Sequence, residues 1–376
     1  MAHVLATYPL HFSGQAITHI FLSLCPPQLE APIKISGVIP SCDRAYDQTN
    51  LIKAIPAPLK PLVYRLRKSQ QVTEWRYNQE IKRFDAAYIW PDVSVDVMQK
   101  AKARDKPIFL ERINCFTGTA KRILDTAHAR LNVVQQYPIT AEMIQTELEQ
   151  AHLADFIFCP SPLVKDSFLE ANIPAEKLLL ASYGWSTQRF PGLQDQPPAS
   201  SSPIDRPFTI VFVGRVCVRK GAHLLIEAFV KSKVRGRLIL CGEMEPVIAE
   251  ACKDWLASPN IIHQPYTSNI TAFYRQADVF AFPSLEEGSP LVSYEAMAHG
   301  LPMLVSPMGA GEIVRDGIEG LVLQPYDIES WVEAIRLLAT FPDRRLKLGY
   351  ASWQRAADFT FDQVANRRAR QMLQHL

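Results

Sequence analysis

Short apolar runs alternate with longer amphipathic ones along most of this chain, and that alternation restricts the fold more than any other feature. Residues 3–7, 33–36, 86–90, 107–110, 155–159 and 177–181 read as strands in the first half, and 208–213, 237–241, 260–263, 278–282 and 302–305 in the second. Strands separated by helix-length segments imply crossover connections and a parallel sheet. Between the two sets, residues 191–207 hold five prolines and three consecutive serines, a composition that suits a surface linker. At 376 residues the chain exceeds what one core usually supports, roughly 250 to 300 residues. The expected architecture is therefore α/β with two doubly wound, Rossmann-like domains facing a central cleft. The first spans 1–190, the linker 191–207 and the second 208–360. A last helix, 361–376, carries Val364, Ala365, Ala369, Met372 and Leu373 near one face and is a candidate to return to the first domain.

Open α/β sheets bind ligands beyond the carboxyl ends of their strands, which directs attention to Pro283-Ser-Leu-Glu-Glu-Gly-Ser-Pro290 and the helix expected after it. Backbone N–H groups at a helix start lack intrahelical partners and carry the positive end of the dipole, so they suit a phosphate. Ser289, Leu291 and Val292 are the expected donors; Pro290, expected at the first helical position, has no N–H. Glu287 and Glu295, with seven residues between them, stand around this start. A carboxylate can accept from two adjacent hydroxyls, as on a ribose, so Glu295 suits a diol and Glu287 another hydroxyl. Either glutamate alone reads most often as a solvated side chain; their spacing around Gly288 supports a nucleotide-sugar site.

The run Val213-Gly-Arg-Val-Cys-Val-Arg-Lys-Gly221 ends another strand in glycine and cations. Arg215 and Lys220 are the expected diphosphate ligands, arginine as a bidentate fork and lysine as a mobile point charge; Arg219 reads as a solvated loop charge. Near the amino terminus Gly14 follows the first strand, where it could admit a ligand or simply form a turn, and His11 reads as a loop residue. No GxGxxG follows this strand, which argues against a dinucleotide oxidoreductase.

Composition narrows the classes further. A net charge of +2 gives no general reason to expect nucleic acid. Seven cysteines lie scattered without a CxxC pair and read as reduced core residues, and nine histidines show no metal-binding spacing. The opening residues lack a basic leader and no run approaches the ~18 apolar residues of a spanning helix, so a cytoplasmic protein is expected, at most peripheral at the inner face of a membrane. Residues 51–106 hold twelve Lys or Arg against six Asp or Glu, interspersed with Val63, Leu66, Val72, Trp75 and Tyr77. This pattern fits a basic surface for anionic lipid or a charged acceptor, or a core helix with a solvated face, the alternative we favour.

Taken in order, these pieces resemble the GT-B-fold glycosyltransferases of family 4, often called glycosyl transferases group 1. The resemblance rests on Val213-Gly-Arg215 with Arg219-Lys-Gly221, Pro283-Ser-Leu-Glu-Glu-Gly288, Tyr294-Glu-Ala-Met-Ala298 with Gly300-Leu-Pro302, and Asp316-Gly-Ile-Glu-Gly320. Ala154-Asp-Phe-Ile-Phe-Cys-Pro-Ser161 and Ser182-Tyr-Gly184 look like the end of that family's acceptor domain. It implies transfer of a hexose from UDP or GDP to a sugar, polysaccharide or lipid-linked acceptor, with retention and with neither metal nor cofactor. It also implies that Arg215 and Lys220 hold the diphosphate, Glu295 the ribose and Glu287 the donor sugar. Glu287, Arg215 and Lys220 are thus the candidates for catalysis, joined by Gly14, Gly288, Ser289, Leu291, Val292 and Glu295 for donor contact. The family's frequent Glu-Gly-Phe-Gly reads Glu287-Gly-Ser-Pro290 here, which removes one backbone donor. Where many members place a histidine after the fourth amino-terminal strand, this chain has Leu110-Glu-Arg-Ile-Asn-Cys-Phe116. Two other functions fit the same architecture: a nucleotide-sugar epimerase and a catalytically silent nucleotide-binding scaffold.

Overall fold

The computed structural model describes residues 1–14, 16–135, 138–195, 197–198, 206–311 and 313–376. Seven parallel strands form the first sheet: β1 (Ala2–Thr7), β2 (Ile33–Ile39), β3 (Leu51–Lys53), β4 (Ala86–Ile89), β5 (Ile108–Glu111), β6 (Phe156–Cys159) and β7 (Leu178–Leu180). Six more form the second: β8 (Phe208–Val213), β9 (Gly236–Cys241), β10 (Ile261–Gln264), β11 (Val279–Phe282), β12 (Met303–Val305) and β13 (Gly320–Val322). The spatial orders are β3-β2-β1-β4-β5-β6-β7 and β10-β9-β8-β11-β12-β13. Each order reverses beside its first strand, at β1/β4 and at β8/β11, which creates the crevice where an open α/β sheet takes a ligand.

Every residue of β4, β5 and β11 is buried, the demand that helices on both faces place on a parallel sheet. Among the described residues only β3 and β13 fall outside the strands expected from sequence. Both are three residues long and lie at sheet edges, where a strand has one neighbour and needs no apolar run.

Part of the expected linker lies outside the described residues. The chain leaves the first sheet through residues 181–190 and returns through 357–361, and these crossings touch. Trp185 N donates to Phe359 O at 2.9 Å and Phe361 N to Trp185 O at 3.0 Å. The returning helix, Phe361–Leu373, buries Val364, Ala365, Arg368, Ala369 and Met372 and packs on the helix Ala16–Leu24 of the first half. Arg368 enters the first domain and pairs with the fully buried Glu111 at 2.5 Å, beside the hydroxyls of Tyr88 and Tyr183.

The basic stretch 51–106 divides in two. The helix Ser69–Glu80 buries Thr73, Tyr77 and Asn78, as a core helix with a solvated face should. The turn Ala57–Leu59 and the helix Lys60–Arg65 bury no residue, so the core-helix reading fails there and Leu66 stands 57% exposed. All seven cysteines are buried and unpaired.

Candidate active site

The loops after β8 and β11 meet because these strands are neighbours at the reversal point of the second sheet. Their backbones are joined: Leu285 N donates to Arg219 O at 2.9 Å. Gly221, with φ of 65°, packs so closely that a Cβ would lie 2.1 Å from Pro283 O, hence glycine at that turn.

This junction delivers three charges to one point. Lys220 Nζ lies 2.8 Å and an Arg219 guanidinium nitrogen 3.2 Å from Glu287 Oε1. Arg219 also reaches Glu286 Oε2 at 3.2 Å and donates to Glu286 O at 3.0 Å. Burial alone would push the Glu287 carboxyl up, but Lys220 and Arg219 outweigh it and hold the group below its ordinary value. Glu286 shifts the other way, raised by burial and by the neighbouring Glu287 charge against the pull of Arg219. Two neighbouring carboxyls are thus shifted in opposite directions. Sequence reasoning placed Arg219 in solvent, yet it clamps both glutamates. The adjacent acidic pair Glu286-Glu287 facing a loop of cations was the available signal.

Immediately beyond Gly288, Pro290 caps the helix Leu291–Ala298 with φ −70° and ψ 122°, one residue earlier than the expected first helical position. Ser293 N donates to Pro290 O at 3.0 Å; Leu291 and Val292 precede that bond and are the orphan donors of the helix start. Ser289 is buried with its hydroxyl on Tyr294 OH.

The remaining expected residues are distributed around this centre. Arg215 rises from the same loop as Lys220 but turns to Glu245, 3.4 Å away, with its side chain half exposed. Glu295 is buried, its Oε1 on Arg189 at 2.6 Å and its Oε2 on Tyr274 OH at 3.1 Å. Burial raises this carboxyl; Arg189 and Tyr274 oppose the rise. Both Glu295 oxygens that sequence reserved for a diol therefore have protein partners, and neither Arg189 nor Tyr274 was foreseen. Gly14 has φ of 67° and its Cβ position would fall 2.1 Å from the Tyr46 ring, so a side chain makes the close approach there.

The first domain closes over the site through the loop after β5. A Cβ on Gly288 would lie 1.6 Å from Ile113 O, and Asn114 Nδ2 and Cys115 Sγ each stand 3.4 Å from Glu286. These residues occupy the segment where the resembled family often has histidine. Among the described residues no three His, Cys, Asp or Glu side chains gather as a metal site.

Two parallel, doubly wound sheets facing across such a cleft, with the last helix returned to the first, define the GT-B architecture. The whole chain superposes on the whole of the lipopolysaccharide outer core galactosyltransferase WaaB with TM-score 0.71 at 14% identity. It also covers all of Anabaena Alr3699/HepE, solved with UDP, with TM-score 0.67 at 13% identity. At such identities the likeness is one of fold. Residues 207–340 match the family model described as Glycosyl transferases group 1. A D-inositol 3-phosphate glycosyltransferase of Xylanimonas cellulosilytica is 29% identical over 175 residues, 43% of this chain and 41% of that protein. The capsular polysaccharide biosynthesis glycosyltransferase CapM of Staphylococcus aureus is 29% identical over 164 residues, 42% and 43% respectively. The matched stretch thus spans about two fifths of these relatives.

Proposed function

We propose that the protein is a glycosyltransferase that moves a hexose from a nucleoside diphosphate to an acceptor hydroxyl in glycoconjugate or polysaccharide biosynthesis, with retention at the anomeric carbon and without a bound metal. The observation that carries this reading is the junction at the β8/β11 crevice, where Lys220 and Arg219 meet Glu287 three residues before the cap of a helix start with orphan N–H groups. UDP is the leading donor nucleotide and GDP the alternative; Alr3699/HepE was solved with UDP-glucose.

The diphosphate lies on the N–H groups of Ser289, Leu291 and Val292, with Arg215 and Lys220 supplying charge. Lysine has three donors, so Lys220 can keep Glu287 and still reach a phosphate oxygen. Glu287 accepts from hydroxyls of the donor sugar. Glu295 takes the ribose when Arg189 or Tyr274 yields one oxygen. In the chemical step the bond from the anomeric carbon to the β-phosphate oxygen breaks while the acceptor oxygen bonds to that carbon from the same face. The acceptor proton passes to the departing phosphate oxygen. Negative charge on the leaving group grows towards the transition state, so the cations and helix start lower the barrier rather than only bind substrate.

A thermal-shift series with UDP, GDP and ADP, followed by turnover assays of their hexose conjugates, tests the reading. Ligand at about a hundred times its Kd contributes roughly 2.7 kcal/mol of stability, a shift easily seen. UDP should raise Tm most, and donor plus acceptor should release nucleotide with an α-linked product from an α-linked donor by NMR, unaffected by EDTA. Epimerised donor without acceptor identifies the epimerase reading instead, and tight nucleotide binding without transfer or hydrolysis the silent scaffold. No shift with any nucleoside diphosphate overturns the proposal.

A further inference from the structure

Residues 56–68 form an outward-facing turn and short helix at the rim of the first domain. Among residues 56–68 none is buried. Leu59, Leu62, Tyr64 and Leu66 are 49%, 55%, 37% and 57% exposed, and the i, i+3, i+7 spacing of the three leucines puts them on one side. Lys60, Arg65, Arg67 and Lys68 flank them. Lys53, upstream, is neutralised by Asp47 at 2.6 Å, but these four make no ion pair among the described residues. No acidic residue occurs between Asp47 and Glu74.

The segment is anchored beside the cleft. Tyr64 OH meets Ser41 Oγ at 2.7 Å, Ser41 Oγ meets His11 Nδ1 at 2.8 Å, and His11 Nε2 stands 3.1 Å from Asp43. His11 lies in the loop after β1, at the same carboxyl end of the first sheet as the β5 loop that touches Gly288. The leucines are therefore held outward by a polar tie beneath them.

We infer that this surface, Leu59, Leu62 and Leu66 framed by Lys60, Arg65, Arg67 and Lys68, docks the protein on an anionic lipid bilayer with the cleft mouth at the membrane. Unpaired cations around protruding leucines complement anionic headgroups over acyl chains. A stable protein interface takes about 20 to 30 residues a side, more than this patch supplies, which favours lipid over a second protein. Under the glycosyltransferase reading the surface brings the site to acceptors embedded in the bilayer. Binding is measured without donor or acceptor, so failure of one inference leaves the other standing.

Co-sedimentation with phosphatidylcholine vesicles, with and without about a third phosphatidylglycerol, tests it. Wild type should pellet with the anionic vesicles only, less as salt rises. With each cation near an anionic surface contributing about fivefold in partition, the triple variant Lys60→Glu, Arg65→Glu, Lys68→Glu should bind at least about a hundredfold more weakly. The variant Leu59→Ser, Leu62→Ser, Leu66→Ser should also release, with unchanged circular dichroism. Arg344→Glu with Lys347→Glu, on an exposed part of the second domain, should bind as wild type. Absence of wild-type binding, equal loss in the control, or a concentration-dependent dimer abolished by the leucine variant in sedimentation velocity overturns the inference.

Discussion

One guanidinium nitrogen of Arg219, Nη1, reaches Glu287, the Glu286 carboxyl and the Glu286 carbonyl. Arg219→Ala should therefore lower Tm and raise the pH at which the Glu287 carboxyl protonates, because one of the two cations that hold it down is lost, read by differential scanning calorimetry across acid pH. The sign follows from the depressed carboxyl: its contribution exists above its unfolded value and disappears as pH falls through the folded one. Lys220→Ala should cut kcat by about a hundredfold, the scale for losing one charge-stabilising donor, while the fold survives. Arg215→Ala should fall less, because its side chain is half exposed and leans on Glu245. Two histidines, His223 buried and His299 partly buried, add a second pH effect. Burial, foremost, pushes His223 and His299 down to about 4, so their neutral forms support the fold above 6.5 and that support is lost as pH drops towards 4. Tm measured over that window should fall, and less steeply in His299→Gln. Lys220, Glu287 and Glu295 were legible as polar residues at fixed distances from a strand end and a helix start. Arg219, Arg189 and Tyr274 were not, since their partners lie 67, 106 and 21 residues away in the chain and only the sheet order brings them together.

Two loops and a helix start make the junction, and glycine controls how closely they fit. Gly288 has Ile113 O where a Cβ would stand, so Gly288→Ala must push the lobes apart. We expect a larger radius of gyration by small-angle scattering and loss of turnover, with nucleotide affinity largely retained because the helix start is unchanged. Wild-type scattering and turnover would show that the contact is not needed for closure. The interior strands could be read from sequence because strands buried on both faces write themselves as unbroken apolar runs. Residues 51–53 and 320–322, at sheet edges, have no such requirement and left no run to read. The helix Lys60–Arg65 escaped for the opposite reason: its apolar residues suggested a core, but Pro56, Pro58 and Pro61 begin a turn that carries them outward.

The lobes are joined by more than their linker. Arg368, on the last helix, is buried with Glu111 of β5, and burial works against its charge while Glu111 more than restores it. Removing one member of such a pair strands the other without water, at a cost of about 3–5 kcal/mol. Arg368→Met should lower Tm markedly, and adding Glu111→Gln should recover part of the loss, because it removes the stranded charge. Equal Tm for the single and double variants would contradict this. The outgoing and returning crossings press together at Gly184, where a Cβ would stand 2.3 Å from Phe359 O, and Trp185 Nε1 donates to Ala356 O at 2.9 Å. A bond can be rotated freely, but two cords laid side by side and stitched cannot. Twisting one lobe about the other would shear those stitches, whereas folding along their common line leaves them intact. The cleft accordingly opens like a book on its spine, and a bulky side chain at position 184 would loosen the binding without tearing out a page.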